Sequence, residues 1–280
     1  APSPTGPLHL GHAYSAILAH DMALAAGGVF LLRIEDIDQS RARAEWEEQI
    51  YDDLRWLGLS WETPVMRQSE RMNAYASALQ SLWERDLLFA CACNRRDILD
   101  AANAPQEGGP AYGPDGIVYP GTCRKALTKR ISGEGMPKDT ALRLAMDVSV
   151  TCFEQANFAE TGNEAEQGLV NVSAADLLTQ VGDVVLARRD MGTSYHLSVV
   201  LDDAHQGITH VVRGQDLFEA TKIHVVLQKL LDLPTPVYHH HKLIRDENGK
   251  RLAKRDDARS IHAFREDGAS PADIRAMVGL

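Results

Sequence analysis

Two histidines lie on either side of a glycine near the start of the chain, in the segment His9-Leu10-Gly11-His12. Prolines and a glycine shape a tight loop before this segment, and strong helix formers follow it. The N–H groups at a helix N-terminus attract phosphate, and a glycine there lets a nucleotide come close to the backbone. Imidazole N–H groups can also stabilise charge that develops on a phosphate group during its transfer. A lone histidine at a helix start is more often a cap or a surface residue, but this combination predicts a nucleotide site.

A second segment with phosphate-binding character spans residues 250–257 and reads Lys-Arg-Leu-Ala-Lys-Arg-Asp-Asp. It follows an apolar run and the turn-forming residues 246–249. Lysines on a loop hold a pyrophosphate leaving group well, because each is a point charge on a long stem. By itself the segment would be a solvated charge run. In a chain that opens with a phosphate-binding loop, it predicts a second contact with ATP.

Three of the four cysteines, Cys91, Cys93 and Cys123, form a third group with chemical potential. Four cysteines in 280 residues do not make a disulfide scaffold, and thiolates at this spacing favour zinc. On the cysteines alone, buried free thiols are an equally good interpretation, and the fourth zinc ligand stays open. Cys152 is assigned to packing.

The elements that must position these residues are typical of an α/β protein. Glycines and prolines between residues 104 and 121 indicate a long excursion without regular structure. We expect a nucleotide-binding sheet in two halves, residues 1–88 and 191–245, with an inserted subdomain at 89–190 and an ATP-loop region at 246–280. Apolar spacing predicts helices over residues 13–26, 41–57, 72–83 and 217–231, and strands over 29–35, 141–144, 183–187, 208–212 and 237–244.

Composition narrows the functional classes. The hydrophobic fraction of 44% and charged fraction of 24% are ordinary for a soluble chain, and no run is long and apolar enough for a membrane span. The first residues lack a secretory pattern, so we expect a cytoplasmic protein. A net charge of −10 argues against wholesale wrapping of nucleic acid. Basic clusters such as Arg124-Lys125 and Arg188-Arg189 either form a local RNA-binding face or are ordinary solvated charges.

The first two segments together resemble the two signature motifs of class I aminoacyl-tRNA synthetases, in particular those of the glutamyl and glutaminyl branch. Ala-Pro-Ser-Pro-Thr-Gly with residues 9–12 is similar to the first motif, and Arg-Leu-Ala-Lys-Arg at 251–255 to the second. Blocks at 33–38, 195–197 and 201–214 resemble the same branch in the expected order. The resemblance implies a Rossmann-type parallel sheet that is split by an inserted, zinc-bearing α+β subdomain and followed by a short helical C-terminal part.

The resemblance also implies roles for individual residues. Arg213 suits a carboxylate of glutamate and Glu35 suits its ammonium group, although a structural ion pair is the alternative for both. Magnesium is expected with the triphosphate of ATP. The second motif is degenerate, because its first position is Arg251 and its serine is replaced by Ala253. The implied set is ATP at Pro4, His9, Gly11, His12, Arg251 and Lys254, with His9, His12 and Lys254 catalytic; glutamate at Ser3, Glu35, Tyr195 and Arg213; and zinc at Cys91, Cys93, Tyr119 and Cys123.

Within the branch, the chain is most similar to a truncated group. Only residues 256–280 follow the second motif, so we expect no anticodon-binding domain of the kind that ordinary glutamyl enzymes carry. Val199 and Leu217 stand where those enzymes tend to have asparagine and tryptophan. This pattern resembles the glutamyl-queuosine tRNA(Asp) synthetases, which activate glutamate without tRNA and transfer it to queuosine at the wobble position of tRNA(Asp). The implied partners are L-glutamate and queuosine-bearing tRNA(Asp), and we expect a monomer.

Two other interpretations remain. In the first, the chain is a fragment of a conventional glutamyl-tRNA synthetase that charges the tRNA 3′ end. In the second, it is a catalytically silent tRNA-binding paralogue. The resemblance further leads us to expect a strand and an arginine ahead of Ala1, where the arginine would help to bind substrate. Without that arginine, glutamate binding depends more heavily on Glu35, Tyr195 and Arg213.

Overall fold

The computed structural model describes residues 1–102, 111–125, 135–245 and 259–280. The helices are α1 (Leu10–Ala25), α2 (Ala44–Trp56), α3 (Met72–Glu84), α4 (Arg95–Ala102), α5 (Met146–Ser149), α6 (Ala174–Asp176), α7 (Tyr195–His205), α8 (Phe218–Leu230), α9 (Ile261–Glu266) and α10 (Pro271–Val278). The strands are β1 (Arg33–Ile34), β2 (Met66–Arg67), β3 (Leu88–Cys91), β4 (Tyr112–Gly113), β5 (Gly116–Ile117), β6 (Ala141–Leu144), β7 (Ala156–Glu160), β8 (Gly168–Val172), β9 (Val185–Ala187), β10 (His210–Gly214) and β11 (Val237–His241).

The chain divides into two compact units that are each described separately. The first unit comprises Ala1–Glu70, Val211–Asp216 and His239–Leu280, and the second comprises Arg71–His210 and Leu217–Tyr238. The limits of these units do not coincide with residues 89 and 190, the expected boundaries of the insertion. Those boundaries stay a prediction.

One apolar cluster forms the core of the first unit. In β1, Arg33 lies opposite Met66 and Ile34 lies opposite Arg67 of β2, in a parallel pairing. Helices on a parallel strand pair agree with the expected α/β class. The core side chains are Leu8, Ala13, Ile17, Leu32, Ile34, Ile50, Leu54, Leu57, Leu59, Ile261 and Ile274.

Local sequence signals determine where the helices of this unit begin and end. Helix α10 starts at a capping box in which Ser270 and Asp273 exchange hydrogen bonds, with Pro271 in the first turn. It ends at Gly279, whose φ of 79° is a left-handed conformation that favours glycine. Arg275 then donates to both carboxylate oxygens of Asp21 on α1, at 2.7 and 3.2 Å. The C-terminal helix is thereby held against the helix that begins at the histidine segment.

Three sheets have strands in the second unit, one of them the two-stranded β4–β5 hairpin. Strands β3, β6 and β9 form an antiparallel sheet in that order. Strand β7 pairs antiparallel with β8 and in parallel with β11, where Glu160 lies opposite Tyr238. Parallel pairing, the expected feature of the sheet, is therefore present in each unit, together with antiparallel pairs of the kind that an α+β subdomain contains.

Two segments differ from the sequence-based expectation. The predicted strand at 29–35 is reduced to Arg33–Ile34, because Val29 is 60% exposed and the apolar run is therefore not buried throughout. Within the glycine- and proline-rich stretch, β4 and β5 form a short antiparallel hairpin that was not predicted. Residues 103–110 of the same stretch lie outside the described residues.

The helices in the described ranges are too short or too polar to cross a bilayer. The longest of them, α1, has 16 residues, whereas a span needs about 20 apolar ones.

A buried carboxylate organises the helices of the second unit. Asp202 on α7 is 0% exposed and accepts hydrogen bonds from Arg71 Nε at 2.7 Å and from Tyr75 Oη at 2.8 and 3.0 Å. Tyr75 is itself fully buried on α3. The carboxylate is therefore desolvated but well supplied with donors, including a cation.

We expect Asp202→Ala to lower the free energy of unfolding by about 3–5 kcal/mol, because it leaves Arg71 without its partner. Tyr75→Phe removes one hydrogen bond to the same charge and is expected to cost roughly 1.5–3 kcal/mol. Urea unfolding followed by circular dichroism measures both. Glu154→Ala, at an exposed position of the same unit, is the control. An Asp202→Ala midpoint equal to that of the control would contradict this role.

Candidate functional site

The two histidines of the opening segment cap α1 together. His9 Nδ1 accepts from the Gly11 N–H at 3.1 Å, and His12 Nδ1 accepts from the His9 N–H at 3.1 Å. Their rings lie 3.8 Å apart between centroids. This is a capping box built from imidazoles in place of the usual hydroxyl and carboxylate. The prediction that these residues start a helix is confirmed, and α1 begins three residues earlier than the apolar pattern indicated.

The cap fixes which nitrogen of each neutral ring carries the proton. Because Nδ1 accepts a hydrogen bond in both His9 and His12, the proton lies on Nε2. Each ring can therefore act as an N–H donor at the start of a helix, where the backbone dipole already favours an anion. The arrangement suits stabilisation of a phosphate group.

The structure gives a reason for glycine at position 11 that the sequence did not reveal. A Cβ atom at this position would lie 3.0 Å from Cε1 and 3.1 Å from Nδ1 of His9. Such contacts are tighter than ordinary packing allows, so a side chain would displace the ring of His9. The glycine leaves room for the capping histidine, whether or not a nucleotide also approaches the backbone here.

The predicted ATP loop is flanked by residues that contact α1 and its cap. Arg251 and Lys254 lie outside the described residues. After them, Ser260 forms a β-bridge with His9, and Ile261 N–H donates to Leu8 O at 2.8 Å. The first described residues after the predicted ATP loop therefore lie beside the histidine segment.

The residues ahead of the loop also reach α1. Ser15 Oγ donates to His241 Nε2 at 2.6 Å, since the other ring nitrogen of His241 donates to Lys242 O at 2.8 Å. The His241 ring packs edge-on against Tyr14 at 4.8 Å. Burial lowers the pKa of His241, which agrees with a neutral ring that accepts from Ser15. Described residues on both sides of the predicted ATP loop, His241 before it and Ser260 after it, thus contact α1 or its cap.

Ser3 and Glu35, two of the predicted glutamate ligands, lie in neighbouring segments of the first unit. The Glu35 N–H donates to Pro2 O at 3.0 Å, so the opening loop runs beside the end of β1. Pro4, predicted to contact ATP, continues this loop, and its carbonyl accepts from the Arg43 N–H at 3.0 Å. The structure therefore joins the opening loop to the carboxylate that follows β1.

Arg33 is a residue that the sequence interpretation missed. Its Nη2 donates to Glu35 Oε1 at 3.2 Å, and the arginine side chain is only 8% exposed. Residues two apart on a strand face the same side, which is the signal that could have identified this pair. An ion pair, the alternative to substrate binding, is thus present for Glu35, and Arg33 supplies a cation at this position.

Arg213, the fourth predicted glutamate ligand, is oriented by a histidine. Its Nε donates to His240 Nε2 at 3.1 Å, from β10 to the neighbouring strand β11. His240 is 1% exposed, and because Nε2 accepts, its neutral ring carries the proton on Nδ1. His240 was not singled out in the sequence, because only the pairing of two distant strands brings it to Arg213.

Tyr195 belongs to the second unit, where it is the first residue of α7. Its ring lies 5.5 Å from His196 and 5.7 Å from His224, edge-on in both cases. His196 Nδ1 and His224 Nε2 are 3.1 Å apart, and His196 Nε2 lies 3.5 Å from Asp115 Oδ1. A buried pair of imidazoles therefore supports the predicted glutamate-binding tyrosine.

The three predicted zinc thiols and Tyr119 lie together in the second unit. Tyr119 Oη is 3.4 Å from Cys91 Sγ and 3.5 Å from Cys93 Sγ, and Cys93 Sγ is 3.5 Å from Cys123 Sγ. All three sulfur atoms lie within 4.8 Å of one another. Around one tetrahedral zinc with Zn–S bonds of about 2.3 Å, the sulfur atoms are roughly 3.8 Å apart. The spacing of this thiol cluster (Cys91, Cys93, Tyr119 and Cys123) therefore fits a single ion.

Hydrogen bonds give the thiols of the cluster different acidities. Burial opposes ionisation of Cys123, but donation from Tyr119 and from the Ala92 N–H lowers its pKa to about 7. Burial raises the pKa of Cys93 to about 11. Tyr119 Oη also accepts from the Cys123 N–H at 2.8 Å, and Arg143 stacks over its ring at 3.9 Å. Cys123 therefore ionises more readily than Cys93, and a thiol that binds a metal must lose its proton.

The basic clusters are partly occupied by neighbouring acids. Arg124 donates to Asp183 at 2.7 and 2.9 Å and to Asp147 at 3.2 Å. Arg188 pairs with Asp190 through two hydrogen bonds at 3.1 and 3.2 Å. These arginines are structural in the described part of the chain, so an RNA-binding face built on them stays a prediction.

Known proteins match the chain along its whole length. The family model for the catalytic domain of class I tRNA synthetases (E and Q) matches residues 1–280. A glutamyl-Q tRNA(Asp) synthetase from Rhodobacter capsulatus is 64% identical over 280 residues, covering 100% of this chain and 98% of that protein. One from Nocardia farcinica is 40% identical over 279 residues, covering 99% and 82%.

A solved structure gives the same result for the fold. The glutamate-tRNA synthetase from Elizabethkingia anophelis superposes with a TM-score of 0.74 at 25% identity, over 99% of this chain and 60% of that one. The resemblance that the opening motifs indicated is therefore confirmed. The chain belongs to the class I tRNA synthetases (E and Q) and matches their catalytic domain.

Proposed function

We propose that this chain activates glutamate with ATP and transfers the glutamyl group to queuosine in tRNA(Asp). The observation that carries the proposal is the 64% identity to a glutamyl-Q tRNA(Asp) synthetase over 100% of the chain. The imidazole cap of α1 supports the first step, because it is a phosphate-binding arrangement at the position of the first signature motif.

In the first step, an oxygen of the glutamate α-carboxylate attacks the α-phosphorus of ATP. The bond from that phosphorus to the bridging oxygen breaks, so that glutamyl-adenylate forms and pyrophosphate leaves. His9 and His12 donate from Nε2 to the phosphate oxygens as charge develops, and Lys254 with Arg251 stabilises the pyrophosphate. Gly11 serves this step by leaving room for the His9 ring. Magnesium accompanies the triphosphate and neutralises part of its charge.

Glutamate is held in this proposal by Ser3, Glu35, Tyr195 and Arg213. Glu35 accepts from the substrate ammonium group, while Arg33 on β1 donates to the Glu35 carboxylate and fixes its orientation. Arg213 binds a substrate carboxylate with its guanidinium, whose Nε is already held by His240. His240 is therefore a positioning residue for Arg213.

In the second step, a hydroxyl of the queuosine cyclopentenediol attacks the carbonyl carbon of the mixed anhydride. The bond between the carbonyl carbon and the oxygen that bridges it to phosphorus breaks, and AMP leaves with the bonding electrons. The hydroxyl proton passes to a phosphate oxygen or to solvent. An ester on the modified base is the product. In a protein with a net charge of −10, tRNA contacts need local cations, so binding should be weak and salt-dependent.

Zinc is the metal we propose for the thiol cluster. Three thiols with a buried phenol are a closed donor set for a structural ion, and the spacing of these atoms supports a single tetrahedral site. Cys91 and Cys93 would join β3 to Cys123 through the ion. Zinc would thus stabilise this part of the second unit, while the residues of the two signature motifs carry out the reaction.

We expect Lys254→Ala to lower the rate of glutamate-dependent ATP–pyrophosphate exchange about 10²–10³-fold and to change the KM for glutamate little, because the lysine acts on charge that develops during the reaction. His9→Gln is expected to do the same, with a loss of helix stability as well, since the α1 cap is weakened. Parallel losses in kcat and in glutamate affinity for Lys254→Ala would contradict the role given to this residue.

The RNA substrate is tested with radiolabelled glutamate, ATP and tRNA(Asp), purified with and without queuosine. We expect label only on the queuosine-bearing tRNA, and exchange of pyrophosphate without any tRNA. If exchange requires tRNA(Glu) and label appears on its 3′ end, the chain is instead a conventional glutamyl-tRNA synthetase. An inactive exchange assay would favour a silent tRNA-binding paralogue.

Zinc removal gives a separate expectation. Purified protein should contain one zinc ion per chain, and Cys123→Ser should lose the metal and lower the melting temperature. The matched control is Cys152→Ser. The packing role assigned to Cys152 from the sequence is wrong, because this cysteine is exposed, and it lies outside the thiol cluster. Metal analysis and thermal unfolding measure both variants. Equal zinc content in Cys123→Ser and the unaltered protein would show that these thiols do not bind the metal.

A further inference from the structure

A second group of potential metal ligands lies in the first unit, remote in sequence from the thiol cluster. Its centre is Asp53 on α2, whose side chain is 0% exposed. Neither Oδ1 nor Oδ2 of Asp53 meets a hydrogen-bond donor among the described residues. A buried carboxylate without donors is strongly unfavourable, so a proton or a cation must compensate its charge.

His262 on α9 faces the same point. Its Nδ1 is buried and has no hydrogen-bond partner within the described ranges. The other nitrogen, Nε2, lies 3.5 Å from Glu266 Oε1, one turn further along α9. When Nε2 carries the proton and faces this carboxylate, Nδ1 keeps its lone pair. A histidine whose second nitrogen faces a carboxylate is the usual arrangement of an imidazole metal ligand.

Asp52 completes the group. One ligand atom from each of Asp52, Asp53 and His262 can be chosen so that all three lie within 4.8 Å of one another. Asp52 is 60% exposed at its side chain, and its Oδ2 accepts from Arg265 Nη1 at 2.7 Å. The cluster therefore has a buried carboxylate, a partly exposed imidazole and a solvent-facing carboxylate, with one competing cation.

We propose that Asp52, Asp53 and His262 bind a divalent first-row transition-metal ion, with water completing the coordination. Two carboxylates and one imidazole suit ions such as Mn²⁺, Co²⁺ or Zn²⁺ better than Mg²⁺, which prefers oxygen ligands alone. Asp53 supplies a buried carboxylate that accepts no hydrogen bond within the described residues. Arg265 lowers the affinity, because it shares Asp52 with the ion.

The competing explanation is a proton on Asp53. Burial raises the pKa of Asp53 to about 6; Asp52 acts in the same direction, and His262 and Arg265 oppose the shift. A protonated carboxyl group would remove the charge without any metal. The proton and the metal therefore compete for one group, and a titration with metal distinguishes them.

The site would connect two elements that flank the catalytic motifs. Helix α9 begins immediately after Ser260, which bridges His9, and α2 packs in the same core as α1. An ion held by both α2 and α9 would fix the segment that leaves the predicted ATP loop. It would act on the position of that segment and not on the reacting atoms.

Mn²⁺ is the probe for this site, because it prefers oxygen and imidazole ligands and avoids the thiol cluster. Titration of the full chain without nucleotide is followed by the electron paramagnetic resonance signal of free Mn²⁺. We expect one bound ion per chain, loss of that ion in Asp53→Asn and His262→Gln, and affinity reduced about 10-fold in Glu266→Gln. Arg265→Gln should bind more tightly. Bound Mn²⁺ should raise the melting temperature of the unaltered protein and not that of Asp53→Asn.

Glu62→Gln is the matched control, since Glu62 is an exposed carboxylate outside the cluster. Asp53→Asn removes an uncompensated buried charge and is therefore expected to fold, which circular dichroism checks. Equal binding of Mn²⁺ by Asp53→Asn and Glu62→Gln would overturn the proposal. So would the absence of any Mn²⁺ binding by the folded, unaltered protein, in which case Asp53 carries a proton.

Discussion

The imidazole cap of α1 is the interaction on which the rest of the candidate site depends. Four backbone N–H groups at a helix start need partners, and this chain satisfies two of the amides in the capping segment with His9 Nδ1 and His12 Nδ1. Using Nδ1 for the cap leaves Nε2 to carry the proton, so the fold and the chemistry use opposite sides of the same rings. The β-bridge from His9 to Ser260 then attaches the segment that follows the predicted ATP loop to this point. A change in the cap would consequently disturb the helix, the donors and the loop together.

Sequence reasoning succeeded where the information is local. The histidine–glycine segment starts a helix because its capping partners are two and three residues apart, so the signal lies within a short stretch of sequence. The Arg33–Glu35 pair was equally accessible, since alternation over the predicted strand at 29–35 places both on one side. A structural ion pair was the alternative weighed for Glu35, but Arg33 was not identified as its partner. His240 was out of reach, because its contact with Arg213 exists only through the neighbouring positions of β10 and β11. Strand pairing between distant segments is not encoded in any short pattern.

The thiol cluster marks another limit of sequence reasoning. The spacing of Cys91, Cys93 and Cys123 indicated zinc no more strongly than free thiols, and Tyr119 entered only through resemblance to a family. The structure supplies the physical reason for the tyrosine: its hydroxyl contacts two of the sulfur atoms and the Cys123 N–H, while Arg143 covers its ring.

The predicted strand at 29–35 was too long, because its burial was overestimated from the sequence. A run of apolar residues looks buried in sequence, but only the packing of the unit decides that Val29 is exposed.

Asp202 and Asp53 show that burial alone does not reveal the role of a carboxylate. The hydrogen-bond donors around it must also be considered. Both carboxylates lie on helices and both are 0% exposed. Asp202 receives a guanidinium and a phenol, so its charge is compensated and its role is to hold helices together. Asp53 has no such donors within the described residues, and its nearest neighbours include a second carboxylate and an imidazole. Packing alone would favour an apolar residue at that position, because an uncompensated carboxylate weakens the fold. A chain that keeps the carboxylate therefore needs a proton or a cation at this position, and an imidazole that places a ring nitrogen within 4.8 Å of the carboxylate oxygens favours the cation.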